Sequence, residues 1–208
     1  MSVGIRRARN NNSIDALYYL FYGRHNKETE LEQVVPQCHR FTYTSHCQLS
    51  LPFQVNTQGY IICWTDGSCS RNGQDGAAAG IGVYFGDQHP WNITKPLDPR
   101  IEQTNNRAEI WAAIEAIRKI REKGIHHVEI RSDSDFMVKG MNVWIHEWER
   151  NGWRQSSTGF PIENEMDFRQ LKNEVNSVSN VIFVHIPRDQ NKQADALARA
   201  GVNSQHRV

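Results

Sequence analysis

The stretch GYIICWTDGSCSRNG, Gly59 to Gly73, opens as an apolar run behind a glycine and then meets a carboxylate, Asp66. A short apolar run bounded by glycines and rich in β-formers reads as a buried strand, so the acid stands where that strand stops. Asp followed by Gly and Ser is also ordinary turn chemistry, because Asp can accept a bond from its own downstream backbone and Gly tolerates positive φ. Turn chemistry explains one acid. A functional role for Asp66 requires further acids at positions the fold can bring beside it.

Around this stretch, Tyr60 to Thr65 reads as a strand, Ala79 to Phe85 (AGIGVYF) as a second and Trp91 to Lys95 as a third. Gly-rich and Pro-containing turns join them, which predicts an antiparallel meander. Residues 104 to 124, TNNRAEIWAAIEAIRKIREKG, follow as a helix: Thr104 is a suitable N-cap, apolar residues recur at helical spacing and Gly124 supplies the stop. Val128 to Ser132 is a short strand, residues 135 to 150 a helix broken near Gly140, residues 164 to 177 a helix, Val181 to Ile186 a strand and residues 191 to 200 a closing helix. The order β-β-β-α-β-α-α-β-α predicts an α/β fold in which strands separated by helices pair in parallel through right-handed crossovers. The sheet is therefore five-stranded, mixed and flanked by helices.

Three more acids occupy telling places. Glu109 shares a helix face with Ala112, Ala113 and Ala116, and that small-residue face permits close approach to the sheet. An inward-facing carboxylate is costly unless paired or metal-bound, whereas a solvated Glu in a first helical turn is merely favoured by the dipole. Asp133 ends the strand VEIRSDSD, and Asp195 in QADALARA lies three residues before Ala198. Ligand sites of open α/β sheets lie beyond the carboxyl ends of the strands. Four clustered carboxylates cannot all stay ionised without compensating positive charge. Oxygen ligands suit Mg²⁺ or Mn²⁺, and a pair of such ions clamps an in-line phosphoryl displacement.

Composition sets the limits. The 208 residues are 38% hydrophobic, with net charge +1, so no polyanion partner is announced globally and any such binding is local. No apolar run approaches the ~18 residues of a membrane span, so a soluble chain with no membrane partner is expected. The four cysteines, at 38, 47, 63 and 69, do not read as a secreted disulfide framework, which favours an intracellular, reducing compartment. Residues 1–57 form a poorly specified N-terminal extension, with short helical patterns at Ile14 to Tyr22 and Glu28 to Val35. Arg6, Arg7 and Arg9 precede the first acid, Asp15, as a targeting start or a basic tail. Cys38-His39 and His46-Cys47 carry zinc-ligand types at a spacing that matches none of the usual tetrahedral sites.

TDGSCSRNG at 65–73, TNNRAE at 104–109, SDSDFMVKGMNVWIHEWERNGW at 132–153 and ADALA at 194–198 closely resemble the type 1 ribonuclease H family. The likeness runs from about 59 to 202, within a domain taken as 58–203 that leaves 204–208 as a tail. The resemblance implies a ribonuclease H-like fold and a two-metal-ion endoribonuclease. Such an enzyme cuts the RNA strand of an RNA/DNA hybrid, leaves 3′-hydroxyl and 5′-phosphate ends, and acts as a monomer. It implies Asp66, Glu109, Asp133 and Asp195 as catalytic ligands of two Mg²⁺, for which Mn²⁺ can substitute. By the same resemblance Cys69, Arg71, Asn72, Asn105 and Asn106 read the hybrid's minor groove, and their amides suit a 2′-hydroxyl. Capping is the other role open to the paired Asn. Thr104 and Asn164 match residues holding a DNA phosphate, and Trp144, Trp148 and Trp153 match an aromatic protrusion. Trp144 and Trp148 are also an i, i+4 pair, the usual core spacing. The polar residues around them, His146, Glu147, Glu149, Arg150 and Asn151, favour a surface platform.

The chain departs from this family in four ways. IPRDQNKQADALA, residues 186–198, is a short loop without the His that many members carry, and the nearest candidate, His185, belongs to the preceding strand. Slower but retained activity is the expectation. Glu102 stands where relatives often have an Arg for the DNA phosphate, and Glu147 and Glu149 dilute the charge of Arg150 and Arg154. Both predict weak, salt-sensitive hybrid binding. Residues 1–57 hold no Trp and six basic residues, unlike the small hybrid-binding domain of eukaryotic members. A proofreading exonuclease also gathers four carboxylates, but the asparagines and tryptophans argue against it. A hybrid-binding protein without turnover is the alternative that a test of metal dependence separates.

Overall fold

The computed structural model describes residues 53–205. The helical patterns at Ile14 to Tyr22 and Glu28 to Val35, the basic start and the Cys38/His39/His46/Cys47 set lie outside the described residues. The elements in chain order are β1 (Ile61–Ser70), β2 (Ala78–Tyr84), β3 (Ile93–Pro96), α1 (Asn105–Glu122), β4 (His127–Ser132), α2 (Asp135–Lys139), a π-helical turn (Gly140–Trp144), α3 (Ile145–Arg150), α4 (Glu165–Asn176), β5 (Asn180–His185), a 3₁₀ turn (Arg188–Gln190) and α5 (Lys192–Gln205). The five strands form one mixed sheet in the order β3-β2-β1-β4-β5. β1 to β3 are antiparallel, and β4 pairs in parallel with both β1 and β5.

Side-chain alternation assigns the two faces of the sheet. Cys63, Ala79, Ile81, Val83, Val128 and Ile130 are buried in the core with Ala112, Ala113, Ala116, Ile117 and Ile120 of α1. Each fully buried isoleucine contributes roughly 1.5–3 kcal/mol relative to exposure. Gly80 and Gly82 alternate with those β2 residues and so face the other way. There α5 lies directly on the strand: a Cβ at Gly82 would sit 2.2 Å from the Ala194 carbonyl oxygen, and one at Gly80 2.3 Å from that of Ala198.

Two features differ from the sequence expectation, and the break expected near Gly140 is present. β1 does not end before Asp66. Its parallel ladder with β4 stops at Trp64↔Arg131, but the antiparallel ladder with β2 continues through Asp66↔Gly82 to Ser70↔Ala78. Asp66 thus lies within β1, just past the point where β4 leaves it, and the turn falls later, at Arg71 to Gly76, with positive φ at Arg71, Gly73 and Gly76. The break at Gly140 is a π-helical turn. Phe168 explains the glycine, since a Cβ there would meet its ring at 2.4 Å. The last helix runs on to Gln205, taking in two residues expected as tail. Ahead of residue 58, Val55 bridges Ile61, and Asn56 donates from Nδ2 to Glu129 at 2.7 Å. Among the described residues no helix is long and apolar enough to cross a membrane.

Candidate active site

The four acids arrive from four elements. Asp66 projects from β1 on the α5 side and is 5% exposed. Glu109 is delivered by the close approach of β1 and α1: a Cβ at Gly67 would sit 2.1 Å from the Glu109 nitrogen. Glycine is therefore the residue that lets the helix start touch the strand. The Gly67 backbone lies against Glu109 and favours its charged form, and Asn105 Nδ2 donates to Glu109 Oε1 at 3.3 Å. Its other oxygen, Oε2, is buried without a partner. Asp133 follows β4 directly, and its Oδ1 accepts from Asn191 Nδ2 at 2.6 Å. Asp195, in the first turn of α5, faces Arg199 at 3.0 Å and Arg188 at 3.7 Å. It borders an open cleft of about 380 Å³ lined also by Arg188, Asp189 and Lys192.

Electrostatically the site is strained by its own charge. Burial, then the neighbouring carboxylates of Asp133 and Asp195, pushes Asp66 up to about 8, with Arg188 pulling the other way. Burial, then Asp66 and Asp133, holds Glu109 well above the usual carboxylate range, against the opposing pull of Gly67 and Asn105. Buried carboxylates repel one another unless a positive charge is placed among them. Among the described residues no three such side chains close into a ready-made cage. An open set nevertheless fits Mg²⁺, which keeps several waters and takes only one or two carboxylates plus substrate phosphate oxygens. The donors are all hard oxygens, and Glu109 Oε2 is an orphaned acceptor inside the cluster. The residues fit a divalent cation.

The residues matched to substrate contacts gather partly as expected. Asn72 Oδ1 accepts from the Asn105 amide at 3.1 Å, tying the β1–β2 turn to the start of α1, and Cys69 Sγ donates to the Gln103 carbonyl at 3.3 Å. Arg71 is exposed, and Asn106 is half-buried on the first turn of α1. Thr104 caps α1, its hydroxyl accepting from the Arg107 amide at 3.4 Å. Asn164 takes the left-handed conformation, φ 58°, at the start of α4, and its Nδ2 is buried without a partner.

The tryptophan platform is corrected. Trp148 is 9% and Trp153 6% exposed, both within the core, while Trp144 is half-buried against it. Trp148 packs on Trp144, Trp153 and Phe168 with ring centroids 5.8, 6.0 and 5.0 Å apart. Arg169 covers Trp153 at 4.4 Å. The i, i+4 spacing carries its usual core meaning here, and the polar residues His146, Glu147, Glu149 and Arg150 are the other, exposed face of the same helix. Trp153, at φ 61°, folds back beneath them. His185 is exposed at the end of β5. Glu102 pairs with Arg107 at 3.4 Å, and Arg107 in turn reaches the buried Asp167 at 2.9 Å. Sequence reasoning missed Asn191 and Arg188. An Asn ahead of a closing helix reads as a cap, and nothing local says which distant acid it holds.

The acids thus gather at one end of the five-stranded mixed sheet, with the asparagine-bearing start of α1 beside them. The RNase H family model matches residues 58–203, and the chain belongs to that family. It is 42% identical to Ribonuclease H1 of Mus musculus over 145 residues, covering 68% of this chain and 50% of the relative. It is 38% identical to Ribonuclease H1 of Homo sapiens over 146 residues, again 68% and 50%. The chain thus spans about half the length of these curated relatives. Among solved structures, LC11-RNase H1 in complex with an RNA/DNA hybrid superposes with TM-score 0.52 at 25% identity, covering 70% of this chain and 98% of that one. LC9-RNase H1 gives TM-score 0.52 at 29% identity, covering 69% and 72%.

Proposed function

We propose that this chain hydrolyses internal phosphodiester bonds in the RNA strand of RNA/DNA hybrids, leaving 3′-hydroxyl and 5′-phosphate ends, in dependence on Mg²⁺ or Mn²⁺. The observation that carries the proposal is the convergence of Asp66, Glu109, Asp133 and Asp195, with Asp66 and Glu109 both pushed up by burial and by their acidic neighbours. All four acids come from one chain, so a monomer suffices. These four carboxylates would hold two divalent cations, which when bound would supply charge compensation and Lewis-acid activation. Asp66 stands between the other acids and holds the middle of the cluster. Glu109, held by Asn105 through Oε1, keeps its Oε2 free of any protein partner.

Selection for RNA falls to the turn and the helix start. The side-chain amides of Asn72, Asn105 and Asn106 can both donate to and accept from a 2′-hydroxyl, the group that separates RNA from DNA. Arg71 adds a charge at the exposed turn. Thr104 and Asn164 offer a hydroxyl and an unpartnered Nδ2 for a phosphate of the DNA strand. Trp144, with its partly open edge, contributes apolar contact to the sugar backbone, while Trp148 and Trp153 support it from beneath.

Incubation of the full chain with labelled RNA/DNA hybrid or duplex RNA, with Mg²⁺ or chelator, tests the proposal. Wild type should cut RNA only in the hybrid and only with metal, and Asp133→Asn should lose at least 10³-fold in rate while keeping most hybrid binding. Cutting by Asp133→Asn at the wild-type rate would remove the metal assignment. Binding without cutting by wild type would instead favour a hybrid-binding protein.

A further inference from the structure

We infer that Asn191 is a positioning residue that sets the acid cluster in its cation-binding geometry; this rests on the site assignment proposed above. Asn191 is 1% exposed, and its side-chain nitrogen spends both hydrogens on the site. One goes to the Thr65 carbonyl at 3.0 Å, on the residue before Asp66. The other goes to Asp133 Oδ1 at 2.6 Å. Its backbone carbonyl accepts from the Asp195 amide at 3.0 Å. A single residue therefore fixes β1 just ahead of Asp66, the carboxylate of Asp133 and the first turn of α5 that carries Asp195.

The chemistry of an amide suits this task better than any charged side chain. A Lys or Arg at this point would neutralise Asp133 and compete with a cation for it, whereas an Asp would add a repelling charge 2.6 Å away. The amide donor orients Asp133 and leaves its negative charge available. Partners of this kind, one layer behind a metal ligand, typically affect metal affinity or activity 10- to 100-fold. The side-chain oxygen of Asn191 is itself buried without a partner. The two donated bonds, rather than full satisfaction of the amide, account for the residue.

The test is a calorimetric titration of Mn²⁺ alone, then Mg²⁺ alone, into the wild-type full chain, Asn191→Ala and Asn191→Leu, without nucleic acid. Hybrid binding in chelator and hybrid cleavage are measured on the same samples. The expected result is a 10- to 100-fold loss of cation affinity in both variants, hybrid affinity in chelator within about twofold of wild type, and kcat reduced with KM unchanged. Asn191→Leu removes both donors at nearly the same shape and adds no charge, so it carries the comparison should Asn191→Ala fail to fold. Wild-type cation affinity in folded Asn191→Leu would overturn the inference and leave the nuclease reading intact. Loss of cation binding in the variants, with a wild type that cuts no hybrid, would overturn the nuclease reading and keep Asn191 as the organiser of a cation site. A wild type that binds no cation would overturn both.

Discussion

Asp66 is held where its own charge is costly, and that cost is measurable. In the unfolded chain it titrates as an ordinary carboxylate near 3.8, whereas burial and its acidic neighbours lift it to about 8 in the fold. Between those values the folded state binds the extra proton, so metal-free stability falls as pH rises. The stabilising contribution is complete below the unfolded value and is lost as pH climbs through the folded one. Asp66→Asn removes the charge at nearly constant shape. In chelator at pH 8 it should be more stable than wild type by about 1–2 kcal/mol, the gain expected on relieving an active-site strain, or about 2–8 °C in Tm. The gain should fade toward pH 4, and added Mg²⁺ should raise the Tm of wild type only. Thermal melts at both pH values check this, and equal melts at pH 8 would refute it. The four acids were legible in the sequence because each breaks a local pattern. Trp148 and Trp153 were not, since polar neighbours look alike whether they flank a platform or cover a core.

Helix and strand placement was legible because periodicity is local, as the match of α1 to residues 104–124 illustrates. The continuation of β1 past Asp66 was not, because it depends on a partner: Gly80 and Gly82 of β2 pair with Ser68 and Asp66. Those same glycines let α5 rest on the strand backbone, and α5 carries Asp195. Gly82→Ala would place a methyl 2.2 Å from the Ala194 carbonyl oxygen and 2.5 Å from the Ala198 amide. Backbone cannot give way as a side-chain tip can, so α5 must move. Overpacking of this kind costs about 1–3 kcal/mol. The displacement should carry Asp195 away from Asp66 on β1, so hybrid cleavage in folded Gly82→Ala should fall at least tenfold at saturating substrate. Denaturant unfolding and kcat, measured on the same sample, check both halves. A stability loss with unchanged kcat would show that Asp195 tolerates a shifted helix.

Over the whole molecule charge is nearly balanced, 24 basic against 23 acidic residues, so attraction to a polyanion must come from where cations are placed. Glu102 works against it. The side chain is 74% exposed beside Thr104 and is paired with Arg107 at 3.4 Å, close to the hydroxyl assigned to a DNA phosphate. An acid there repels that phosphate and draws Arg107 toward itself. Glu102→Arg reverses both effects at little structural cost, since an exposed pair contributes only about 0–1 kcal/mol and Arg107 keeps its bond to Asp167 at 2.9 Å. Each phosphate newly neutralised steepens log affinity against log salt by about 0.9 and releases counterions. The variant should therefore bind hybrid more tightly than wild type at 50 mM salt, with a slope steeper by about one, and the two should converge at high salt. Anisotropy titrations in chelator over a salt series check this. A tighter variant with an unchanged slope would mean that residue 102 acts through the shape of the α1 start, not through a phosphate.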